Sequence, residues 1–572
     1  MTVARVLPDV TGLDKAFDYK VPDGAAVAVG SLVRVALHGR RVGGWVVALD
    51  PPDSHHGDLE PIAKVTGVGP SAELVMLAEW AALRWAGRQR VFLRAASPPR
   101  ALRRPPHGQR AALVIEPRSP ASTRLLADGG GLLRLPPTSD PMPAVLSAAG
   151  VGPTLVVVPG LDAAMLLAAR LRRTGLSVAL LPDEWPAAVG GVDVVIGTRT
   201  AAWGPCADLA AAVLLDEHDE ALQEEGSPTW HARDVLIERC RRAGVPLLVV
   251  SPAPTVTAIE AVGAPVRPPR ERERAAWPIV EVIDRSADEP WKRSLLTSRL
   301  IVDLRDTGRT VVCVSNTTGR AALLACRACR ELARCTHCEA AVALADDGAL
   351  VCRRCGSSRP AVCAACGSSR FANLRPGVTR LAEELAAAAG RHVELVTGAG
   401  AAAPGRSSVY VGTEAVLHRV TRADTVAFLD FDRELLAPRY RSAEQAFALL
   451  VRAARLVGRR DRGGRILVQT FLPDHPVLGA ATLADPGRLA ERERRQRYEL
   501  GLPPFAAVAE VNGRGADQFV GSMATMGAVD AVATGTESWL VRGPDWETLG
   551  QALLSARRPP GSRLRVAVDP PR

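Results

Sequence analysis

Eight of the eleven cysteines fall between Cys326 and Cys366, as four Cys-x-x-Cys pairs: Cys326/Cys329, Cys335/Cys338, Cys352/Cys355 and Cys363/Cys366. Two thiolates three residues apart can clasp one metal from a tight turn, and four complete a tetrahedral Zn²⁺ shell. Four pairs therefore predict two structural zinc ions per chain. All eight thiols are spent as ligands, which leaves no open position for catalysis at the metal. A disulfide framework would need an oxidising compartment. The opening stretch MTVARVLPDVTGLDKAFDYK has no apolar h-region, so a reducing, cytoplasmic location is expected. Cys206, Cys240 and Cys313 sit in apolar or helical contexts and are expected to be inert core residues.

The spacers argue for a nested pairing. EAAVALADDGALV, between Cys338 and Cys352, reads as two short strands around the turn signal Asp346-Asp347-Gly348. A hairpin there joins Cys335/Cys338 to Cys352/Cys355 at one zinc. Cys326/Cys329 and Cys363/Cys366 then flank it and share the other. Gly356 and Gly367 follow the last cysteine of their pairs, where a metal knuckle often needs a positive φ.

The rest of the chain must position this module. Its 572 residues make several domains, and 47% hydrophobic content is ample for their cores. No run of about 18 apolar residues lacks charge, so no membrane partner is expected. The net charge is +10, carried almost wholly by arginine, with lysine only at positions 15, 20, 64 and 292. Excess positive charge favours polyanions, nucleic acid first, although a composition bias would look the same.

A multidomain α/β architecture follows from the pattern. Residues 1–68 read as a β-domain with Arg34, Arg40 and Arg41 on its surface. Residues 69–105 read as a helical or winged-helix module carrying Arg84, Arg88, Arg90 and Arg94. Residues 106–275 alternate β and α as a first parallel lobe. The rhythm returns over 276–325 and 367–482, interrupted by the cysteine module at 326–366. Residues 483–572 close the chain as a small α+β domain that begins with the charged helix ERERRQRYELGLPPF.

Several stretches are specific: Phe17-Asp18-Tyr19, VVIGTRTAAWGP (194–205), DEHD (216–219), PTWHARDV (228–235), SPAPT (251–255) and GLPPFA (501–506). Together with the order of the eight cysteines, they resemble the PriA family of replication-restart helicases (primosomal protein N′). The resemblance implies two RecA-like lobes with a two-zinc insertion, and an N-terminal domain that captures the 3′ end of a nascent strand. In that pocket Phe17 or Tyr19 would stack on a base, worth roughly 1–3 kcal/mol. Asp18 would accept a hydrogen bond from the terminal hydroxyl, and Gly39 would be a backbone approach point. Glu60 stands where family members can have a lysine, with Lys64 nearby. Implied partners are forked DNA with single- and double-stranded arms, primosome proteins, the replicative helicase or its loader, and single-strand binding protein. A nucleoid-associated, cytoplasmic location goes with them.

The departures bear on activity. A motor of this kind needs a P-loop whose backbone N–H groups cradle phosphates, with a lysine for their charge and a Ser/Thr for Mg²⁺. Here LLRLPPTSDPMPAVL (132–146) places Pro141 at the lysine and Met142 at the magnesium ligand. Prolines 136, 137, 141 and 143 have no N–H to donate, and no Gly-Lys dipeptide occurs in the chain. Asp216 and Glu217 keep acidic character without a nucleotide partner. In VRAARLVGRR (451–460) Arg459 survives, but Leu456 stands at an arginine position and Arg452 at a glutamine. NTTGR (316–320) and GTEAVLHRV (412–420) also depart from the family pattern. The resemblance is therefore to a degenerate, ATPase-deficient form of the actinobacterial type. It implies fork binding and primosome assembly with zinc but without ATP, and no enzyme activity. The competing readings are an active ATP-dependent 3′→5′ DNA helicase with an unconventional nucleotide site, and a zinc-containing RNA-binding or regulatory protein.

Overall fold

Alternating apolar residues in VARVLP and LVRVAL put one face of each strand inside a small N-terminal barrel. The computed structural model describes residues 2–54, 58–111, 119–287, 295–315, 324–329, 331–345, 348–352, 354–373, 378–396, 407–524, 527 and 529–570. Strands β1 (Val3–Pro8), β2 (Phe17–Lys20), β3 (Leu32–Leu37), β4 (Arg40–Leu49) and β5 (Lys64–Gly67) pair in the order β2-β1-β4-β3-β5. The segment before β5 closes the ring. Lys20 donates its N–H to Glu60 O at 3.0 Å, and Ile62 N–H returns to Lys20 O at 2.9 Å. The barrel interior holds Val6, Tyr19, Val33, Val35 and Val46.

Residues 69–105 form only two helices, α1 (Ala72–Arg84) and α2 (Gln89–Ala96). Of the helical and winged-helix readings the helical one holds: residues 97–105 carry no strand that could make a wing. An aromatic ladder fixes the pair to lobe one instead. Trp85 meets Phe92 (ring centroids 6.1 Å apart), Phe92 meets Trp203 (5.3 Å), and Trp203 meets Trp230 (5.8 Å). Such pairs contribute about 0.5–1.5 kcal/mol each beyond area burial.

The two lobes are copies of one topology. Lobe one carries a six-stranded parallel sheet from Gly130–Arg134, Thr154–Val157, Val178–Leu180, Val194–Gly197, Ala211–Leu215 and Leu247–Ser251. Lobe two uses Ile279–Asp284, Val311–Val314, Glu394–Val396, Val409–Gly412, Thr425–Phe428 and Arg465–Thr470, again all parallel. Counting strands within each lobe, both sheets run 1-6-5-2-4-3. These are the expected RecA-like lobes. The cysteine module is inserted in lobe two between its second strand and the helix that follows. Lobe one has only Val158-Pro159-Gly160 between strand and helix at the same point.

Two boundaries differ from the sequence reading. The insertion has a stem, Leu324–Cys326 paired antiparallel with Phe371–Asn373, so it reaches beyond 326–366 on both sides. The charged helix Pro486–Glu499 belongs to lobe two, because Leu489 enters that lobe's core and Arg497 pairs with Glu444 at 2.6 Å. The C-terminal domain proper is a four-stranded antiparallel sheet from Ala507–Asn512, Asp530–Gly535, Ser538–Gly543 and Arg565–Val568, with helices Ala516–Ala524 and Trp546–Ser555. It seats on α1 so closely that a Cβ on Gly550 would lie 2.3 Å from Leu83 O. Among the described residues no helix is long and apolar enough to cross a membrane.

Candidate functional site

The cysteines gather as the spacers predict. Cys326, Cys329, Cys363 and Cys366 form one group; Cys335, Cys338, Cys352 and Cys355 form the other, each with its Sγ atoms within 4.8 Å of one another. Contacts of 3.5 Å join Cys338 to Cys352, Cys335 to Cys355, and Cys329 to Cys363, and one of 3.6 Å joins Cys326 to Cys366. A tetrahedron of ~2.3 Å Zn–S bonds has edges of about 3.8 Å, so both sets fit zinc. The hairpin that folds the second site is Val342–Leu344 against Ala349–Cys352, with Val342 opposite Cys352. Asp346 and Asp347 of its turn lie outside the described residues. Three of the four knuckles turn on a positive φ four residues after their first cysteine: Gly356 (76°), Gly367 (74°) and, unforeseen, Glu339 (60°); the equivalent position after Cys326 lies outside the described residues. Backbone N–H groups of Ala328 and His337 donate to Cys326 and Cys335 Sγ at 3.4 Å, stabilising thiolate. Cys206, Cys240 and Cys313 behave as core residues: burial pushes the first thiol up to about 11 and the other two up to about 12.

In the barrel, strand alternation puts Phe17 and Tyr19 on one face of β2 and Asp18 on the other. Tyr19 is only 4% exposed, and its hydroxyl donates to Ala36 O at 2.9 Å. It is a core residue, which corrects its candidacy as a stacking ring. Phe17 is half-buried, with Lys15 Nζ 5.7 Å from its ring centroid. Asp18 is held by Arg5, whose Nε donates at 2.8 Å and whose second nitrogen donates at 3.2 Å. Gly39 (φ 75°) and His38 (φ 49°) form a two-residue hairpin turn between β3 and β4. That turn chemistry accounts for the glycine, and nothing lies within 4 Å of where its Cβ would be.

The strand–loop–helix frame of a phosphate site survives in lobe one, but its contents have changed. The loop after Gly130–Arg134 leads into the helix Met142–Ala149. The first N–H of that helix, on Met142, is taken at 3.0 Å by the carboxylate of Asp140, which is itself paired with Arg170. A protein carboxylate thus occupies the place a phosphate would need.

The acidic run is equally engaged. Glu217 is 1% exposed; it accepts from Arg233 at 2.8 Å and from the Thr255 hydroxyl at 2.6 Å. His218 Nδ1 lies 3.0 Å from Ser251 Oγ. Asp216 is gripped by Arg455, which arrives from lobe two on the helix Ser442–Val457, with Nη1 at 2.7 Å. Nε of the same arginine donates to Pro137 O at 3.2 Å. One turn earlier, Arg452 meets Asp219 at 2.7 Å. Arg459, which the sequence singled out, pairs with Asp461 at 3.1 Å and only lines the open cleft of about 520 Å³ beside Thr138, Ser139 and Arg462. Arg455 is the residue that sequence reasoning missed; its i+3 spacing from Arg452 on one helix was the available signal. NTTGR lies outside the described residues, and GTEAVLHRV forms a strand end and the short helix Val416–Arg419.

The same lobe-two helix makes two further ties. Glu444 accepts from Val256 N–H at 2.8 Å, at the start of a lobe-one helix. Arg441 donates to Gln223 at 2.9 Å and to Asp569 at 2.5 Å. Asp569 follows the last strand, whose Val566 and Val568 carbonyls accept from Ser227 and Thr229 of lobe one. Lobe one, lobe two and the C-terminal domain are therefore fastened together by side chains.

A family model described as a 3′ DNA-binding domain matches residues 5–98. The probable replication restart protein PriA of Mycobacterium bovis is 30% identical over 561 residues, 88% of this chain and 85% of that protein. Replication restart protein PriA of Bacillus subtilis is 26% identical over 369 residues, 59% of this chain and 45% of that one. Among solved structures, S. cerevisiae Dbp5 bound to RNA and ADP BeF3 is 12% identical, with a TM-score of 0.34, over 76% of this chain and 98% of that one.

Proposed function

Since the chain belongs to the PriA family of replication restart proteins, we propose that it binds abandoned replication forks and promotes primosome assembly and helicase loading without acting as a motor. The observation that carries this reading is Arg455. It reaches into the cleft from the opposite lobe and holds both Asp216 and the Pro137 carbonyl. A hydrolysing lobe pair must admit Mg²⁺ and phosphates between these groups. Here the acids that would hold the metal are ion-paired, and the loop that would cradle phosphate has prolines and a carboxylate cap.

Within this proposal Phe17 stacks on the terminal base of a nascent strand. Asp18 accepts from the 3′-hydroxyl while Arg5 holds it in orientation. Two zinc ions, each held by one set of four cysteines, stiffen the insertion as a platform for DNA or for loader proteins. Exposed arginines, Arg94 of α2 and others on the lobes, contact phosphates, so affinity falls steeply with salt. The work is done in the cytoplasm, on the nucleoid.

The test is ATP hydrolysis by the pure protein with and without forked DNA, beside fork binding in the same preparation. Fork binding with no DNA-stimulated turnover is the expected result. Robust turnover that Asp216→Ala abolishes would overturn the scaffold reading in favour of an active helicase. Equal affinity for forks and structured RNA would favour an RNA-binding protein.

A further inference from the structure

The helix Pro486–Glu499 buries Leu489, Ala490, Glu493 and Arg497 against lobe two and turns its other side outward. That outer side repeats at helical spacing: Arg488, Arg492, Arg495 and Tyr498 are all exposed. Tyr498 is 71% exposed, the largest value among the exposed large hydrophobic residues. It stands edge-to-face with Phe505 of the GLPPF turn, centroids 5.4 Å apart and planes at 87°, and Arg494 lies 5.8 Å from the Phe505 ring. Arg494 is tied to Glu260 at 2.6 Å, so the base of the platform is anchored on lobe one. Arg488 and Arg492 have no ion pair among the described residues. The acidic neighbours are Glu491, already opposite Arg495 at 3.8 Å, and Glu499.

A flat, exposed aromatic ring held by a second ring, in line with unpaired arginines one helical turn apart, matches the chemistry of single-stranded nucleic acid. The ring takes a base face and the guanidinium groups take the backbone. A protein partner would be served by apolar area, but this face has one ring among arginines.

We propose that the outer face of this helix, with Tyr498 as its stacking ring and Arg488, Arg492 and Arg495 as its phosphate contacts, is a binding site for single-stranded DNA. On a fork it would receive an unpaired arm, and in that respect it rests on the function proposed above. The site is distinct from the barrel pocket for the 3′ end.

The experiment uses the full chain and two probes: a fluorescent oligo(dT) without ends paired to any duplex, and a fork whose arms are wholly duplex. Tyr498→Ala is expected to weaken oligo(dT) binding about tenfold, with Tyr498→Phe close to wild type because the ring is kept. Duplex-armed fork binding should change less than about twofold. Arg488→Ala combined with Arg495→Ala should flatten the salt dependence of oligo(dT) binding. Unchanged oligo(dT) affinity in Tyr498→Ala overturns the proposal, as does an equal loss on both probes. If the wild-type chain fails to prefer forks over oligo(dT), the fork reading fails while the platform stands.

Discussion

The Arg452 guanidinium on lobe two meets the Asp219 carboxylate on lobe one at 2.7 Å. Three residues on, Arg455 reaches Asp216, and together they span the cleft where two lobes of a motor would open and close. Burial is the largest single influence and would raise the pKa of Asp219, but the charge and hydrogen bond of Arg452 act together with the Ala221 N–H to hold the carboxyl below its usual range.

Arg452→Ala leaves that carboxylate without its charged partner, with only the Ala221 N–H at 2.9 Å. The expected cost is about 1–3 kcal/mol in denaturant unfolding, with faster hydrogen exchange in the helix Ser442–Val457. Because the folded pKa of Asp219 is depressed, its contribution is present above the unfolded value near ~3.9 and is lost only as pH falls below that. A clamp that loosened already at pH 6 would contradict this.

Three buried histidines set an earlier acid limit. Burial keeps His218 and His231 neutral, and it lowers His475 from 6.5 to about 4 with Arg492 and Arg334 adding to the effect. Groups held neutral bind fewer protons folded than unfolded, so stability is full above about 6.5 and falls as pH drops from there. His475 alone should lose up to about 3 kcal/mol between pH 6.5 and 4. Replacing it with Gln should flatten that part of a stability–pH curve.

The barrel strand separates fold from recognition. Tyr19→Phe removes the hydrogen bond to Ala36 O and should cost about 1 kcal/mol of stability, with DNA-end binding unchanged. Phe17→Ala should weaken binding to forks with a 3′-hydroxyl end by about five- to tenfold. If Tyr19→Phe were the variant that lost end recognition, the assignment of roles would be reversed.

Elemental analysis should find two zinc ions per chain. Cys352→Ser is expected to lose one of them and keep the other, since its partners Cys335, Cys338 and Cys355 form a set separate from the first. Loss of both at once would mean that the two sites are not independent.

Legibility followed sequence distance. The nested cysteines were readable because each knuckle and the hairpin between Cys338 and Cys352 are local. The parallel sheets were readable from their apolar runs, and the lost phosphate loop from prolines that cannot donate. The helical and winged-helix readings of residues 69–105 both stayed open because an amphipathic helix such as α1 looks the same whether or not a wing follows. Tyr19 looked like Phe17 because residues i and i+2 share a face; which of them is covered depends on the closure of the barrel at Glu60 and Ile62. Arg455 could not be chosen over Arg459 from the chain alone. Its partner Asp216 is 239 residues away, and that meeting exists only because the two lobes stack with the helix Ser442–Val457 between them. Local chemistry was thus fixed by residue type and spacing, whereas the Arg455–Asp216 tie across the two lobes was decided by long-range packing, which no short-period pattern encodes.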